Sequence, residues 1–433
     1  MTPIRLASVR ILFRRVLLSA IIGVFAGGAA ALFLVLLAQT TALWEAHPLL
    51  LWGLPAMGFL MTALYQWRGE SAVAGNNLII DAVYDPAAHR VPLRMFPLIL
   101  GSTLLTHLCG GSAGREGTAV QMSGSIASAL LRWVRSDERE VRILLMASIS
   151  AGFASVFGTP LAGAVFGMEV LGQGTLRTRA ALPCLVAAIV GDGTVRMLQV
   201  PHAQYVIATV PALSLGLMGW SVLAGVVFAG IAVLFIELND LVHAASKRLI
   251  NDSRWRTAAG GAAIICLTYA VGTRDYNGLS LPLLAAAFSP EGVPMAAFAL
   301  KILFTVITLG VGFKGGEVTP LFVIGATAGA TLGRVSGVPM DVMAALGFVA
   351  VFAAAAQTPF ACVLLGLELF GSELIVPLAI AVFVAAAVVG QRGIYQAQRV
   401  STFDDDLDVA RQSPRLHDVR QGRGLDWFTR PRD

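Results

Sequence analysis

Residues 110–121 read Gly110-Gly111-Ser112-Ala113-Gly114-Arg115-Glu116-Gly117-Thr118-Ala119-Val120-Gln121, which sets Glu116 among four glycines inside an otherwise apolar region. A carboxylate at membrane depth is costly and marks function by default. The glycines leave the backbone bare and tolerant of positive φ, so successive N–H groups can converge on a small anion. The helix expected to follow adds its positive end. Glu116 is itself an anion in that setting: ionised, it fills the site, and protonated, it swings away. The stretch predicts a gate that exchanges protons for anions.

Composition supplies the membrane. Of 433 residues 56% are hydrophobic and 13% charged, with mean hydropathy +0.75, against about 25% charged residues in an ordinary soluble domain. The expectation is an all-α polytopic membrane protein. Apolar runs lie at 16–39, 49–66, 93–107, 143–170, 181–195, 210–237, 257–271, 293–309, 321–332, 342–369 and 374–389, which leaves no room for a large soluble domain. Arg5, Arg10, Arg14 and Arg15 precede the first run, and Arg411, Arg415, Arg420, Arg423, Arg430 and Arg432 fill the tail. The positive-inside rule then places both termini in the cytoplasm with an even number of crossings, and Lys247, Arg248, Arg254 and Arg256 mark a cytoplasmic loop. The net charge of +5 is spread over ends and loops rather than one aromatic-studded patch, so nucleic acid is not an expected partner. Four isolated cysteines and the lack of HExxH, Walker A or paired-Asp motifs predict no metal, no cofactor and no hydrolytic or ATP-driven chemistry.

The polar landmarks occur twice. Gly114-Arg115-Glu116-Gly117-Thr118 with Gly124 corresponds to Gly315-Gly316-Glu317-Val318-Thr319 with Gly325, and from 116 to 317 is 201 residues. Thr159-Pro160, Gly167, Glu169 and Gly172 correspond to Thr358-Pro359, Gly366, Glu368 and Gly371, and from 169 to 368 is 199. Two landmarks at nearly one offset imply a duplicated chain. Glycine-broken segments in matching places of both halves are the pattern of an inverted-repeat transporter with its site near the midplane, and direct repeats are the alternative. The first repeat is expected over about 16–195 and the second over about 210–395, within one membrane domain over 1–395 followed by a short cytoplasmic tail, 396–433.

These residues resemble a known family. Gly114-Arg115-Glu116-Gly117, Phe157-Gly-Thr-Pro-Leu-Ala-Gly163, Gly315-Gly-Glu-Val-Thr-Pro320 and Tyr395 are similar to the motifs of the CLC anion channels and transporters, over nearly the whole chain. The resemblance implies a CLC-like inverted repeat of short, tilted and broken transmembrane helices. It further implies a homodimer with one anion pathway per subunit, placed by analogy in a bacterial inner membrane. The sequence departs from chloride-handling relatives at three places. Their Gly-Ser-Gly-Ile-Pro loop is replaced by Gly75-Asn76-Asn77-Leu78-Ile79, their Gly-x-Phe-x-Pro loop by Gly316-Glu317-Val318-Thr319-Pro320, and their internal proton-relay carboxylate by Val170. All three changes resemble the fluoride/proton antiporter branch, whose substrates are fluoride and protons.

The chemistry fits that branch independently. Fluoride is small and strongly hydrated, so its dehydration requires several strong donors at close range, which asparagine amides, the Thr319 hydroxyl and bare backbone amides provide. Two carboxylates on one path cannot both stay ionised beside an anion, which couples proton occupancy to anion movement. Glu116 and Glu317 are therefore the expected gating and proton-coupling residues. Asn76 or Asn77, Gly114, Arg115, Gly117, Thr319 and Tyr395 are the expected anion-binding residues. The expected task is export of fluoride driven by the inward proton gradient, with a chloride/proton exchanger or a passive anion channel as alternatives. A membrane-embedded enzyme would need a nucleophile with a base, or a metal pair, and neither is present in the sequence.

Other polar residues have structural readings. Glu169 and Glu368 are expected to accept backbone N–H groups at symmetric helix ends, and Lys301 to pair with a carboxylate. His107 is expected to be a hydrogen-bonded packing residue. Glu317 has a competing reading as the ion-pair partner of Lys314 or Arg115, and Asn77 as a helix cap.

Overall fold

The structure is a computed structural model describing residues 3–203, 205–208, 210–400 and 411–420. The Arg5 side chain, Arg423, Arg430, Arg432 and the tail segments 401–410 and 421–433 lie outside the described residues. The described residues contain seventeen α-helices and no β-strand. The first half supplies α1 (Pro3–Ala46), α2 (Leu54–Arg68), α3 (Asn76–Tyr84), α4 (Met95–Leu108), α5 (Glu116–Trp133), α6 (Glu138–Phe157), α7 (Pro160–Glu169) and α8 (Ala181–Met197). The second supplies α9 (Leu215–Leu249), α10 (Ser253–Val271), α11 (Leu281–Ala286), α12 (Ala297–Gly310), α13 (Val318–Ser336), α14 (Met340–Ala356), α15 (Pro359–Phe370) and α16 (Ile375–Val389), and α17 (Leu416–Arg420) follows. Seven segments among the described residues are long and apolar enough to cross a membrane. At 44 residues α1 exceeds the roughly 20 residues that a perpendicular crossing needs.

The apolar runs at 143–170 and 342–369 are each two helices. Pro160 and Pro359 lack the N–H that would continue α6 and α14, so each proline instead opens a new helix. The chain turns at the left-handed Gly158 (φ 72°) in the first half. Gln357 (φ 57°) takes the same place in the second, held by its side-chain N–H2 donating to the Gly390 and Arg392 carbonyls at 2.8 and 2.7 Å.

The halves pack alike. Helix α1 lies on α6 and α8 as α9 lies on α14 and α16. Helices α13 and α14 meet backbone to backbone: a Cβ on Gly325 would stand 2.1 Å from the Gly347 carbonyl, and one on Gly347 2.0 Å from that of Gly325. Such close approach is how small residues bind membrane helices together. Glu169 closes α7 and accepts the Phe360 and Ala361 amides of α15 at 2.9 and 2.7 Å. Glu368 near the end of α15 accepts the Leu161 and Ala162 amides of α7 at 2.9 and 2.8 Å. The helix-end reading of this pair agrees with the structure, and each carboxylate satisfies orphan N–H groups of the other half.

The segment after α16 folds back on the domain. Leu416 N–H donates to the Gln398 carbonyl at 2.8 Å, and Val400 N–H to that of Pro414 at 3.1 Å. Arg415 pairs with Asp81 of α3 at 3.0 Å, Arg411 with Asp85, and Arg420 with Asp240 at 2.7 Å and with Glu237 on α9.

Candidate anion site

Two helices start at one point from opposite halves. The loops before α5 and α13 pair through Gly114 N–H to the Gly316 carbonyl at 2.6 Å and Gly316 N–H to the Gly114 carbonyl at 2.8 Å. The unpaired first-turn amides of both helices converge there, with the positive ends of two dipoles. Glu116, 1% exposed, occupies the junction. Its Oε2 accepts the Thr319 N–H at 3.0 Å and the Arg115 N–H at 3.1 Å, and its Oε1 accepts the Thr319 hydroxyl in a short contact. The Arg115 Nε lies 3.7 Å from Oε1. The carboxylate oxygens thus stand where a bound anion would meet the same donors.

Below the carboxylate is a cavity of about 20 Å³ lined by Glu116, Gly117, Asn76, Val318, Tyr395 and Val170, with Ile79, Ile80, Phe153 and Phe166 among its apolar walls. That is room for one water-sized species. Asn76 and Tyr395 also border a larger cavity of about 370 Å³, which holds Glu317, Asn77, Lys314 and Arg256. These two side chains divide the inner site from the wider space.

The sequence left open which asparagine faces the site. Asn76 does: it lines both cavities, its Oδ1 is buried without a partner, and its Nδ2 rests on the bare Cα of Gly117, where a Cβ would come within 2.8 Å. Asn77 touches the larger cavity, but its Oδ1 accepts the Ala397 N–H at 3.0 Å and so anchors the segment carrying Tyr395. The capping reading of Asn77 is corrected, because Gly75, not an asparagine, occupies the cap of α3. The Gly114 amide is spent on Gly316 rather than left free for an anion.

Glu317 has no ion-pair partner among the described residues. Lys314 turns to the Val73 carbonyl at 3.3 Å and over the Tyr65 ring at 4.7 Å, while Arg115 lies beside Glu116. Glu317 therefore faces the larger cavity with Asn76 and Tyr395, and neither ion-pair reading holds. The expected carboxylate partner of Lys301 is also absent. Fully buried, its Nζ donates to Ser112 Oγ (2.8 Å), Ser280 Oγ (2.8 Å) and the Gly278 and Tyr276 carbonyls (2.9 and 3.2 Å), which ties the glycine loop to the start of α11. His107 Nε2 lies 3.4 Å from the Gly114 carbonyl, in agreement with a packing role, and borders a third cavity of about 690 Å³ at the opposite end of α10.

Three features were missed in the sequence. The Gly114–Gly316 pairing carries no side-chain signal. Val318, repeat mate of Gly117, walls the small cavity. The tail clamp did leave a signal, since Asp81 and Asp85 are spaced four apart, as are Arg411 and Arg415.

A multi-pass bundle whose halves bring two helix N-termini onto one buried carboxylate defines a membrane protein built to pass anions. Residues 57–390 match the family described as voltage gated chloride channel, and the chain belongs to that family, the CLC proteins. A protein of Pseudomonas syringae pv. tomato named "Chloride/fluoride channel protein" is 45% identical over 416 residues, 93% of this chain and 90% of that one. A solved structure titled as a CLC-type fluoride/proton antiporter matches with TM-score 0.87 and 35% identity, covering 90% of this chain and 98% of that one. That of a slow cyanobacterial Cl-/H+ antiporter shares the fold, with TM-score 0.74 at 20% identity over 96% of this chain and 99% of that one.

Proposed function

We propose that the chain is a fluoride/proton antiporter that exports fluoride from the cytoplasm on the inward proton gradient. The observation that carries the reading is the Glu116 carboxylate held by the Thr319 amide and hydroxyl above a one-ion cavity bounded by Asn76 and Tyr395. Protonation of Glu116 removes the charge that those donors hold and frees them for an incoming anion. The carboxyl group then carries one proton inward while fluoride leaves. Asn76 Nδ2 and the Tyr395 hydroxyl donate to fluoride in the small cavity. Glu317, bordering the wider cavity, takes over proton exchange where Val170 cannot.

The arginines near the start of α1 and the loop 247–256 support cytoplasmic termini in a bacterial inner membrane. One membrane domain runs to Tyr395, and two such chains form a homodimer. Exposed Leu161, Leu182, Ile189 and Phe360 on α7, α8 and α15 support an apolar contact face, and disulfide crosslinking of Ile189→Cys protomers decides it.

The test is efflux from liposomes loaded with fluoride or chloride, read by ion-selective electrodes together with proton uptake. Fluoride efflux with coupled proton entry and little chloride efflux is expected. Comparable chloride efflux would make the protein a general exchanger, and fluoride efflux without protons would make it a channel.

A further inference from the structure

At the end of the bundle where α1 begins, α3 stops at Tyr84, α5 stops at Trp133 and α6 starts at Glu138. Between them lies a cavity of about 420 Å³ whose polar wall includes His89, Arg90, Arg132, Arg135 and Ser136, with Glu138 its one carboxylate. The Arg90, Arg132 and Arg135 side chains have no hydrogen bond or ion pair among the described residues. At the same end, Arg14 holds Glu140 at 3.0 Å, Arg415 holds Asp81, and Arg420 holds Asp240, so carboxylates there serve other arginines than these three.

Two further observations indicate a ligand. The Ser136 Oγ is buried without a partner. Arg135 follows the end of α5 at φ 50°, a left-handed position that glycine fills without strain, so a charged side chain is kept there at a conformational cost. The depth is that of the membrane boundary. The apolar segment Glu138–Phe157 starts at the cavity, and Trp133, 91% exposed beside the arginines, has the placement of an interfacial aromatic.

We infer that this cavity binds the phosphate of an anionic phospholipid from the leaflet that meets this end of the bundle. Guanidinium groups grip phosphate oxygens in pairs, the Ser136 hydroxyl supplies a further donor, and basic pockets between membrane helices are suited to such headgroups. The Arg14 side chain, bonded to the Val134 carbonyl at 3.2 Å, holds the α5–α6 turn in place beneath the lipid.

The experiment is thermal unfolding of the full chain in neutral-detergent micelles containing phosphatidylglycerol or, at equal mole fraction, phosphatidylcholine, with inorganic phosphate in a third series. Phosphatidylglycerol is expected to raise the midpoint by about 3 °C, and the other two are expected not to. The Arg90→Gln/Arg132→Gln/Arg135→Gly variant should need about tenfold more phosphatidylglycerol for half the shift, the loss of roughly one charge-assisted contact. Arg135→Gly alone relieves the backbone and should unfold no earlier than wild type without lipid, which separates lost binding from lost folding. Arg254→Gln, in the other basic loop, should keep the full shift. No shift with phosphatidylglycerol, or an undiminished shift in the triple variant, overturns the proposal. An equal shift with inorganic phosphate makes the ligand a soluble phosphate and overturns the lipid assignment.

Discussion

Two pairs of carboxylates occupy matching places in the two halves, and they behave differently. Glu169 and Glu368 do one job twice, each accepting two amides at the start of a helix in the opposite half. Glu116 and Glu317 share a register but not an environment: Glu116 is clasped by Thr319, and Glu317 faces a cavity without an ion-pair partner among the described residues. The threonines that follow them diverge as well. Thr319 turns its hydroxyl to Glu116, whereas its mate Thr118 is paired with Thr103 at 2.7 Å. Symmetry persists where backbone groups must be closed off, and it is broken where a path needs a direction.

The sharpest way to break this comparison is Glu116→Gln. Glutamine is near in size but cannot exchange a proton, so proton-coupled fluoride efflux should fall by about 100-fold or more, at the low end of what a positioned acid or base contributes. Electrode recordings of both ions from the same liposomes check it. Coupled transport persisting in that variant would remove Glu116 from the mechanism.

The symmetric pair should answer through stability instead. Glu169→Gln gives up a charge-assisted bond to a helix start and should cost about 2 kcal/mol of stability. Glu368→Gln should cost somewhat less, because Glu169 is 1% exposed and Glu368 only half-buried. Thermal unfolding of the two variants, with fluoride transport per folded protein as control, gives the ratio. A transport defect without a stability loss in either would mean that the two pairs are not divided as described.

How much was readable beforehand follows the same division. The duplication, the buried carboxylate at Glu116 and the helix-end carboxylates are carried by residue types that are expensive in a membrane, so each left a mark in the sequence. The breaks at Thr159-Pro160 and Thr358-Pro359 are fainter in the sequence, because apolar composition runs straight through a turn that only a proline and a left-handed residue encode. Lys301 was misassigned for a different reason. A sequence shows a buried cation but not the carbonyls that fold around it, and here the backbone at Tyr276 and Gly278 together with two serines replaces the expected carboxylate. Asn76 and Asn77 differ by one position on a helix start, and only the path of residues 395–397 separates their roles.

The threonines sharpen the asymmetry further. Thr319→Val removes the hydroxyl but leaves the amide, so the donor set for Glu116 and for an anion loses one member. Fluoride turnover should drop about tenfold, the equivalent of one hydrogen bond to a charged group. Thr118→Val should leave turnover per folded protein within about twofold, because the Thr118 hydroxyl bonds Thr103 and not Glu116, while the buried Thr103 hydroxyl left unpaired should cost about 1–3 kcal/mol of stability. Equal losses in the two variants would show that the repeats contribute alike.

The smallest effect is expected at the clamp between tail and α3. Arg415 and Asp81 are 39% and 13% exposed at the side chain, so water screens the 3.0 Å pair, and its coupling energy should be about 0.5 kcal/mol in a double-mutant cycle of Arg415→Ala and Asp81→Ala. The pair nonetheless lies on a short route. Asp81 sits one turn beyond Asn77 on α3, Asn77 holds Ala397, and Leu416 bonds Gln398, so tail, Tyr395 segment and Asn76 share one small set of contacts. If the clamp positions that wall of the inner cavity, the cycle measured on fluoride turnover should show coupling of the same sign as the cycle measured on stability. Coupling in stability alone would confine the clamp to holding the tail.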